Sequence, residues 1–597
     1  MVDTRSTPTL QLFSLRYSYT LSPAQLRKSK SSAAGGTPNA TLNIQHTRKI
    51  FSPANLLHPR ASWATQTCAS DLSPEKARDG SRTARDGVCL VPQPSASPDD
   101  PLNWSLTKKN VIFGTVCLAS FAGVASVNVH QLAYIRQASY YHKSPVELSY
   151  SIAAGVAGQM GGPLLFVPLS SIIGRSSLIF WSLFGSLASN IWAPLMTGPN
   201  DYIPFVMSRM LAGLFGSVPP ILATGLIMDL YFLHQRGKAF TVLEVSLLAG
   251  AVAAPVFGGF IADTKPWPNV FWWLVAVIAV SIPLGMATRL SKFTCLLVFA
   301  AFFFLEETAF RRNEESEPLP QRPSSFMSNR IATFFPGTAV VPRTTVAHIA
   351  NRYITPLKIG LSPVTMIVGF FVVCIYGFAV GLGIVVSIFL QTPEMVGGYG
   401  FTPNQNAEFN FSQWAGLVLC QICGAFLNDR IPLSISRRRG GAWHLEYRLY
   451  PIFLVAAASP IGFGIFGAGI EYHLHYMVLA LGTFLVIFGA CYSTPISVNY
   501  IIECFKNSPL EVAVIMNVYR QILALALPFF LFPWEGAVSA GWLFGMMAFF
   551  CVFATMLLGV VVWKGPALRR WNLEKDATED GIKIISSDRS SDTSLNN

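Results

Sequence analysis

Charged residues are scarce in this sequence. Only 12% of its 597 residues are Asp, Glu, Lys or Arg, whereas 52% are hydrophobic. Soluble domains carry about 25% charged residues. A chain this poor in charge has too few polar side chains to cover a water-exposed surface, so it requires a bilayer around it. The shortage excludes an ordinary soluble protein.

Several motifs for chemistry are absent as well. There is no G-x-x-x-x-G-K-[ST] loop to bind nucleotide phosphates, and no His-x-x-x-x-Asp pair of the kind a membrane-embedded acyltransferase would use. No histidine lies well inside an apolar run. These absences argue against a nucleotide-driven pump and against an enzyme. We predict no catalytic residue, no cofactor and no metal.

The ten cysteines form no paired framework, because most lie inside apolar runs. Cys420 and Cys423 have the spacing of a redox pair, but their surroundings read GLVLCQICGAF. Cysteine in such a context is typical of soft packing. We interpret both as packing residues.

Twelve apolar runs are long enough to cross a membrane, since a spanning helix needs roughly 20 apolar residues. They begin near Asn110, Leu148, Leu178, Tyr202, Phe240, Val270, Leu361, Phe411, Leu449, Tyr476, Leu510 and Trp542. The predicted fold is an all-α integral membrane protein with twelve transmembrane helices in two six-helix halves. Its predicted parts are a disordered cytosolic tail (1–108), the N-terminal half (109–310), a cytosolic linker (311–360), the C-terminal half (361–563) and a cytosolic tail (564–597).

The basic residues alternate across these runs. If the first tail is cytosolic, the inner loops hold Arg175, Arg236, the arginine-rich linker, the cluster Arg437–Arg439 and the C-terminal Lys564, while the outer loops hold only three cations. Such a bias predicts the topology of a membrane protein. Both termini are therefore expected in the cytosol. The formal net charge of +12 then reflects loop position, and we predict no nucleic-acid binding.

Corresponding loops in the two halves resemble each other. PLSSIIGRSS follows span two and carries Gly174 and Arg175; GAFLNDRIPLSISRRRGG follows span eight and carries Asp429, Arg430, Arg437, Arg438 and Arg439. This resembles the hallmark loop of the major facilitator superfamily, although the first copy lacks its acidic residue. The resemblance implies that these residues pair with helix ends and hold the cytosolic side shut in one state. A role as a topology signal alone stays open.

Further stretches resemble a fungal drug:proton antiporter branch that includes cation and polyamine transporters. DDPLNWSLTKKN precedes span one, and SRMLAG in span four contains Arg209. AGAVAAPVFGGF in span five resembles the antiporter motif, with Gly250, Pro255, Gly258 and Gly259. It departs from that motif at Ala254. The small residues and the proline predict a close, kinked helix contact between two moving bundles; ordinary tight packing is the alternative.

Charged groups inside spans are costly and need a reason to be there. Arg209, Glu244 and Arg520 are the chief ones, and we predict a role in transport or coupling for each; bracing of neighbouring backbone is the alternative. Tyr376, Gln421, Asn499 and Asn517 are predicted polar groups of a central cavity, which bind ligand or one another.

The resemblance implies a secondary active transporter that works by alternating access, with its cavity between the halves near the midplane. We expect proton-coupled efflux of a small organic compound, a fungal metabolite or drug. Uptake of organic cations or polyamines is the alternative, and a non-transporting receptor is a further one. The expected partners are the substrate, protons and the lipid bilayer, for a monomer in the cell membrane.

The run from Val270 to Leu305 is longer than one span needs, and Arg289 and Lys292 interrupt it. We hypothesise that residues 280–297 derive from a retained intron. A broken sixth helix with an interfacial insert is the alternative.

Overall fold

The computed structural model describes residues 92, 94, 95, 100–278, 301, 304–308, 325–335, 346–438, 444–505 and 508–592, with few side chains beyond residue 569. The tail up to residue 91 and the intron hypothesis for residues 280–297 lie outside this part. The described residues contain helices and turns, and no strand.

Eight helices make up the described N-terminal half. They are α1 (Leu106–Asn128), α2 (Tyr134–Tyr141), α3 (Pro145–Ile173), α4 (Arg175–Leu195), α5 (Tyr202–Gly216), α6 (Val218–Leu230), α7 (Leu233–Thr264) and α8 (Asn269–Ile278). The fourth span is formed by α5 and α6, because the chain turns at Ser217 before Pro219 and Pro220. The described part of the sixth span is α8.

Two helices lie in the linker and eight belong to the C-terminal half. They are α9 (Phe326–Phe334) and α10 (Val346–Gly360), followed by α11 (Pro363–Phe389), α12 (Pro403–Phe409), α13 (Phe411–Arg438), α14 (Tyr450–Val455), α15 (Ala458–Glu471), α16 (Tyr476–Cys504), α17 (Pro509–Val538) and α18 (Ala540–Asp592).

Among the described residues, ten helices or helix pairs are long and apolar enough to cross a membrane. The two remaining predicted spans correspond to α8, of which ten residues are described, and to α13, which is 28 residues long but more polar. The predicted order of the spans is therefore found in the structure, and their starts agree with it to within a few residues.

Local sequence explains where the helices begin. Ser144 and Glu147 form a capping box at the start of α3, in which each side chain accepts from the other's backbone N–H. Before α1, the Asp100 carboxylate accepts the Leu102 N–H at 3.0 Å, and Lys109 Nζ donates to the Leu102 carbonyl at 3.0 Å. Ser105 caps α1 itself by accepting the Lys108 N–H, and the turn from Asp100 to Asn103 is held against the start of the helix.

Two large hydrophobic cores hold the helices together. One is built mostly from α1 to α8 and the other mostly from α11 to α18. Exceptions occur at the seam between the halves: Leu248 and Val252 of α7 belong to the second core, and residues of α11 and α17, among them Ile384 and Val514, belong to the first. Two bundles therefore meet along α7 and α17, as the predicted two-half architecture requires.

The structure differs from the sequence prediction in three places. The arginine-rich segment after span eight was expected to be a turn, but α13 continues as a helix to Arg438. The linker contains α9 and α10. The helix of the last span, α18, continues beyond residue 563 to Asp592. Once a helix has formed, each further residue adds one hydrogen bond, which explains why α13 and α18 continue.

Candidate functional site

A cavity lies between the two halves. Its walls come from α6 and α7 on one side and from α13, α16 and α17 on the other. It includes Gly237 near the beginning of α7 and Ile502 near the end of α16. That end of the bundle carries the basic loops predicted to be cytosolic, and we call it the inner end.

A second cavity continues from the first toward the opposite, outer end. Helices α1, α3 and α11 add to its walls. The two cavities share Pro220, Ile221, Leu247, Cys491, Asn517 and Arg520. We therefore treat them as one central cavity, whose walls come from both halves.

One carboxylate and one guanidinium line this cavity among the described residues: Glu244 of α7 and Arg520 of α17. They belong to opposite halves. Both line the inner part of the cavity, but no ion pair shorter than 4.0 Å joins them. Arg520 instead donates to Asn517 Oδ1 at 3.0 Å and lies over the Tyr376 ring, 5.3 Å from its centroid. The structure thus brings Glu244 and Arg520 together at one site.

All four predicted cavity polar groups line the central cavity, since Gln421 and Asn499 lie in its inner part, Tyr376 in its outer part and Asn517 in both. The sequence analysis missed further amides: Asn128, Gln131, Gln159, Gln413, Asn428 and Gln521. A search for every amide within an apolar run would have found most of them. The cavity surface is therefore rich in groups that both donate and accept hydrogen bonds.

Two of these amides join the halves. Asn517 Nδ2 donates to the Gln159 carbonyl at 2.9 Å, and Gln521 Nε2 donates to Gln159 Oε1 at 3.0 Å. These bonds link α17 to α3 beside Arg520. Beside Arg520 the two halves are therefore held together by hydrogen bonds. Water or a bound ligand can replace the partners in these bonds.

Arg209 has a different location. Its side chain is fully buried in the N-terminal half and lines neither described cavity. The guanidinium donates to the Ser126 and Ser189 carbonyls at 3.0 and 3.1 Å and to Asn190 Oδ1 at 3.3 Å. It also lies over the Phe271 ring at 4.5 Å. The structure does not bring Arg209 to Glu244, and the predicted role of Arg209 in transport or coupling stays a prediction.

A buried histidine was also missed. We expected no histidine well inside a span, but His130, just beyond α1, is fully buried next to Arg209. Its Nε2 atom lies 2.8 Å from the Ser151 hydroxyl, and the rings of Tyr134, Phe205 and Phe271 surround it. An aromatic shell of this kind fits a packing histidine.

The outer end of the cavity is sealed. Gln391 Nε2 donates to the Leu132 carbonyl at 3.1 Å, and the Trp414 indole donates to the Val252 carbonyl at 3.2 Å. Both bonds join the two halves. At the same level, a methyl group on Gly259 would lie 2.9 Å from Ala407 and 3.0 Å from the Pro403 carbonyl. The halves therefore touch here at backbone distance.

The other small residues of α7 pack within their own half. A methyl on Gly250 would meet the Phe121 carbonyl, and one on Gly258 would meet the Val129 carbonyl; both acceptors belong to the α1 side. Pro255 lies inside α7. Of the motif's glycines, Gly259 alone has its nearest described neighbours partly in the other half.

At the inner end, Gly174 ends α3 with φ of 99°, a conformation that favours glycine. Arg175 then starts α4 and forms an ion pair with Asp229 of α6. A methyl on Gly225 would lie 3.1 Å from the Arg175 guanidinium carbon and 2.8 Å from Leu510 of α17. This copy of the loop motif therefore braces the first half against the helix that carries Arg520.

The second copy makes fewer contacts. Arg430, Arg437 and Arg438 are exposed, and Arg430 lies over the ring of Phe426 on its own helix, 5.6 Å from the centroid. None of these three forms an ion pair with another helix in the described part of the chain. Arg439 and the side chain of Asp429 lie outside it. The predicted gating role of this copy stays a prediction.

The geometry can now be compared with known proteins. Residues 111–528, well over half of the chain, match the sequence model of the Major Facilitator Superfamily. The chain belongs to this superfamily. It is a multi-pass membrane transporter, not an enzyme, and its substrates are small molecules.

Its relatives belong to the drug-efflux-like branch. The efflux pump radE of Floropilus chiversii is 24% identical, covering 79% of this chain and 84% of its own. The multidrug transporter TPO1_2 of Candida glabrata is 26% identical, covering 79% and 78%. The MFS-type transporter penM of Penicillium rubens is 24% identical, covering 78% and 86%. Among solved structures, the human organic anion transporter MFSD10 is 15% identical with a TM-score of 0.44, covering 77% of this chain and 100% of that chain.

Proposed function

We propose that this transporter exports a small, largely uncharged organic compound in exchange for protons. The observation that carries the proposal is the pairing of one carboxylate, Glu244, with one guanidinium, Arg520, on opposite walls of the central cavity. The names of two relatives, an efflux pump and a multidrug transporter, agree with export. A fungal metabolite or a drug is the substrate class we infer.

The charge balance of the cavity supports an uncharged substrate. A polyamine carries several positive charges, and charges in a low-dielectric site need partners. Glu244 is the single carboxylate lining the cavity in the described part of the chain, and Arg520 opposes it. The many amides offer instead the donors and acceptors that a polar but uncharged metabolite needs. Export of such a compound is therefore favoured over uptake of organic cations.

The coupling follows from competition at one site. Antiport requires that proton and substrate each favour a different state of the carrier. Ionised Glu244 attracts Arg520 across the cavity and draws the two halves together, whereas protonated Glu244 does not. A substrate bound between them displaces that attraction. We infer that Glu244 takes up the proton and that Arg520 responds to its charge.

The test uses purified protein in liposomes that contain the pH dye pyranine. Cycloheximide and fluconazole serve as uncharged probes and spermine as a cationic probe, each added outside. Entry of a probe by antiport expels protons, so the lumen becomes alkaline; symport would acidify it and overturn the proposal. We expect alkalinisation with at least one uncharged probe and none with spermine.

Glu244→Gln should abolish proton movement in this assay and leave exchange of unlabelled for labelled probe in place. Glu408→Gln is the matched control, because that carboxylate is exposed on α12 and binds only Asn404 in the described structure. Proton movement that persists in Glu244→Gln would remove Glu244 from the coupling mechanism.

A further inference from the structure

Two thiols meet on the wall of the central cavity. Cys420 of α13 and Cys491 of α16 both line its inner part and lie close to each other. The sequence spacing had suggested Cys423 as the partner of Cys420. The structure pairs Cys420 with a cysteine 71 positions further along the chain.

The register of two helices brings these thiols together. The Ser412 and Thr483 hydroxyls are 2.9 Å apart and also 71 positions apart in sequence. One turn further, a methyl on Gly416 would lie 3.6 Å from Ile487 Cβ. Cys420 and Cys491 follow after four more residues on each helix. Helices α13 and α16 thus run parallel in a fixed register, and the close approach at Gly416 places the next pair of side chains in contact.

The surroundings differ from those of a packing cysteine. Both thiols line the same part of the cavity as Glu244 and Arg520, so the thiol pair lies beside the proposed coupling site. Cys374 and Cys551 are also neighbours, on α11 and α18, but neither lines a described cavity.

We propose that Cys420 and Cys491 form a dithiol site for a trivalent, thiol-seeking metalloid compound that enters the cavity. With an organic arsenic(III) oxide, two As–S bonds form and the As–O bond breaks. The two thiol protons leave with the oxide oxygen as water, and arsenic stays trivalent, so no oxidant is needed. The bridged product blocks the cavity wall next to Glu244 and Arg520 and stops transport.

The inference goes beyond the proposed function, because it does not require Glu244 to carry a proton. The first test of the dithiol site measures only the binding of an arsenical to the protein. Purified protein in detergent is treated with phenylarsine oxide, and its intact mass is measured. We expect one phenylarsine adduct that consumes two maleimide-reactive thiols, is removed by 2,3-dimercaptopropanol, and survives the same thiol concentration of 2-mercaptoethanol.

Cys420→Ala and Cys491→Ala should each lose this adduct, since a single thiol cannot form the bridge. Cys374→Ala and Cys551→Ala are the matched controls and should keep it. Absence of the adduct from the parent protein, its persistence in Cys491→Ala, or its loss in Cys423→Ala would overturn the proposal. The last outcome would assign the site to the sequence neighbours instead.

Inhibition of transport by the arsenical is a second test of the dithiol site. In the liposome assay, phenylarsine oxide should stop probe-driven proton movement by the parent protein and by Cys374→Ala. Cys420→Ala should be resistant, if it transports. Full inhibition of an adduct-free Cys420→Ala would show that the arsenical acts elsewhere and would contradict the proposed block. If neither the parent protein nor any variant moves protons in this assay, the proposed function is contradicted. The adduct measured by intact mass would still support the dithiol site.

Discussion

Arg209 in the interior of the N-terminal half and Arg520 on the wall of the central cavity have opposite surroundings. Arg209 is fully buried, donates to two backbone carbonyls and an amide, and faces aromatic rings. Arg520 is half-buried, binds one amide on its own helix and faces a carboxylate across open space. A saturated guanidinium stabilises a fold, whereas one with spare donors can respond to a ligand or a proton.

The largest expected effect is on the stability of the N-terminal half. Arg209→Ala removes the bonds to Ser126, Ser189 and Asn190 and empties a large buried volume, and such truncations cost roughly 2–5 kcal/mol. We expect a clear fall in the thermal midpoint of the purified protein and in its membrane abundance. Arg430→Ala, at an exposed site, is the control. Normal stability with lost flux would instead place Arg209 in the transport mechanism.

The cavity arginine should show the reverse pattern. Hydrogen bonds to charged groups are worth about 1.5–3 kcal/mol, so Arg520→Ala should lower flux about tenfold or more while the thermal midpoint changes little. Arg520→Lys keeps the charge but loses the planar stack on Tyr376, and an intermediate flux is expected. Both are measured in the pyranine liposomes at matched protein amounts. A large fall in the thermal midpoint of Arg520→Ala would contradict the proposed difference between Arg520, which responds to ligand or proton, and Arg209, which stabilises the fold.

The contacts that close the outer end of the central cavity lie between closely packed helices and the open cavity. Gly259→Val places methyl groups against Ala407 and the Pro403 carbonyl, so the halves can no longer close at this end. We expect several-fold faster labelling, by an impermeant maleimide from outside, of a Gln131→Cys probe in the cavity. Gly464→Val is the matched control, because nothing lies within 4 Å of that position. Unchanged labelling would show that the seal does not depend on this contact.

The smallest effect is expected where the halves share single hydrogen bonds. Asn517→Leu loses the bond to the Gln159 carbonyl and the one from Arg520, and a typical bond contributes about 1 kcal/mol. Flux should change only a few-fold. Asn404→Leu, at the exposed start of α12, is the control. A loss as large as that of Arg520→Ala would mean that Asn517 contacts the substrate itself.

The sequence determined the membrane architecture on its own. Each span must hold roughly 20 apolar residues and the basic loops must alternate, so the order of the spans could be read from composition. The loop and antiporter motifs carried the family resemblance. Buried polar residues stand out against apolar runs, and for that reason Glu244, Arg520, Tyr376, Gln421, Asn499 and Asn517 were identified before the structure.

Only the tertiary structure decided which of these residues face one another. Arg209 and Arg520 look alike in sequence, but the rotation and packing of their helices place one in a saturated interior and the other on the cavity wall. Cys420 meets Cys491 because α13 and α16 run parallel in one register. A linear sequence states what each helix can bury, while contacts between residues far apart in the chain depend on how the helices pack against each other.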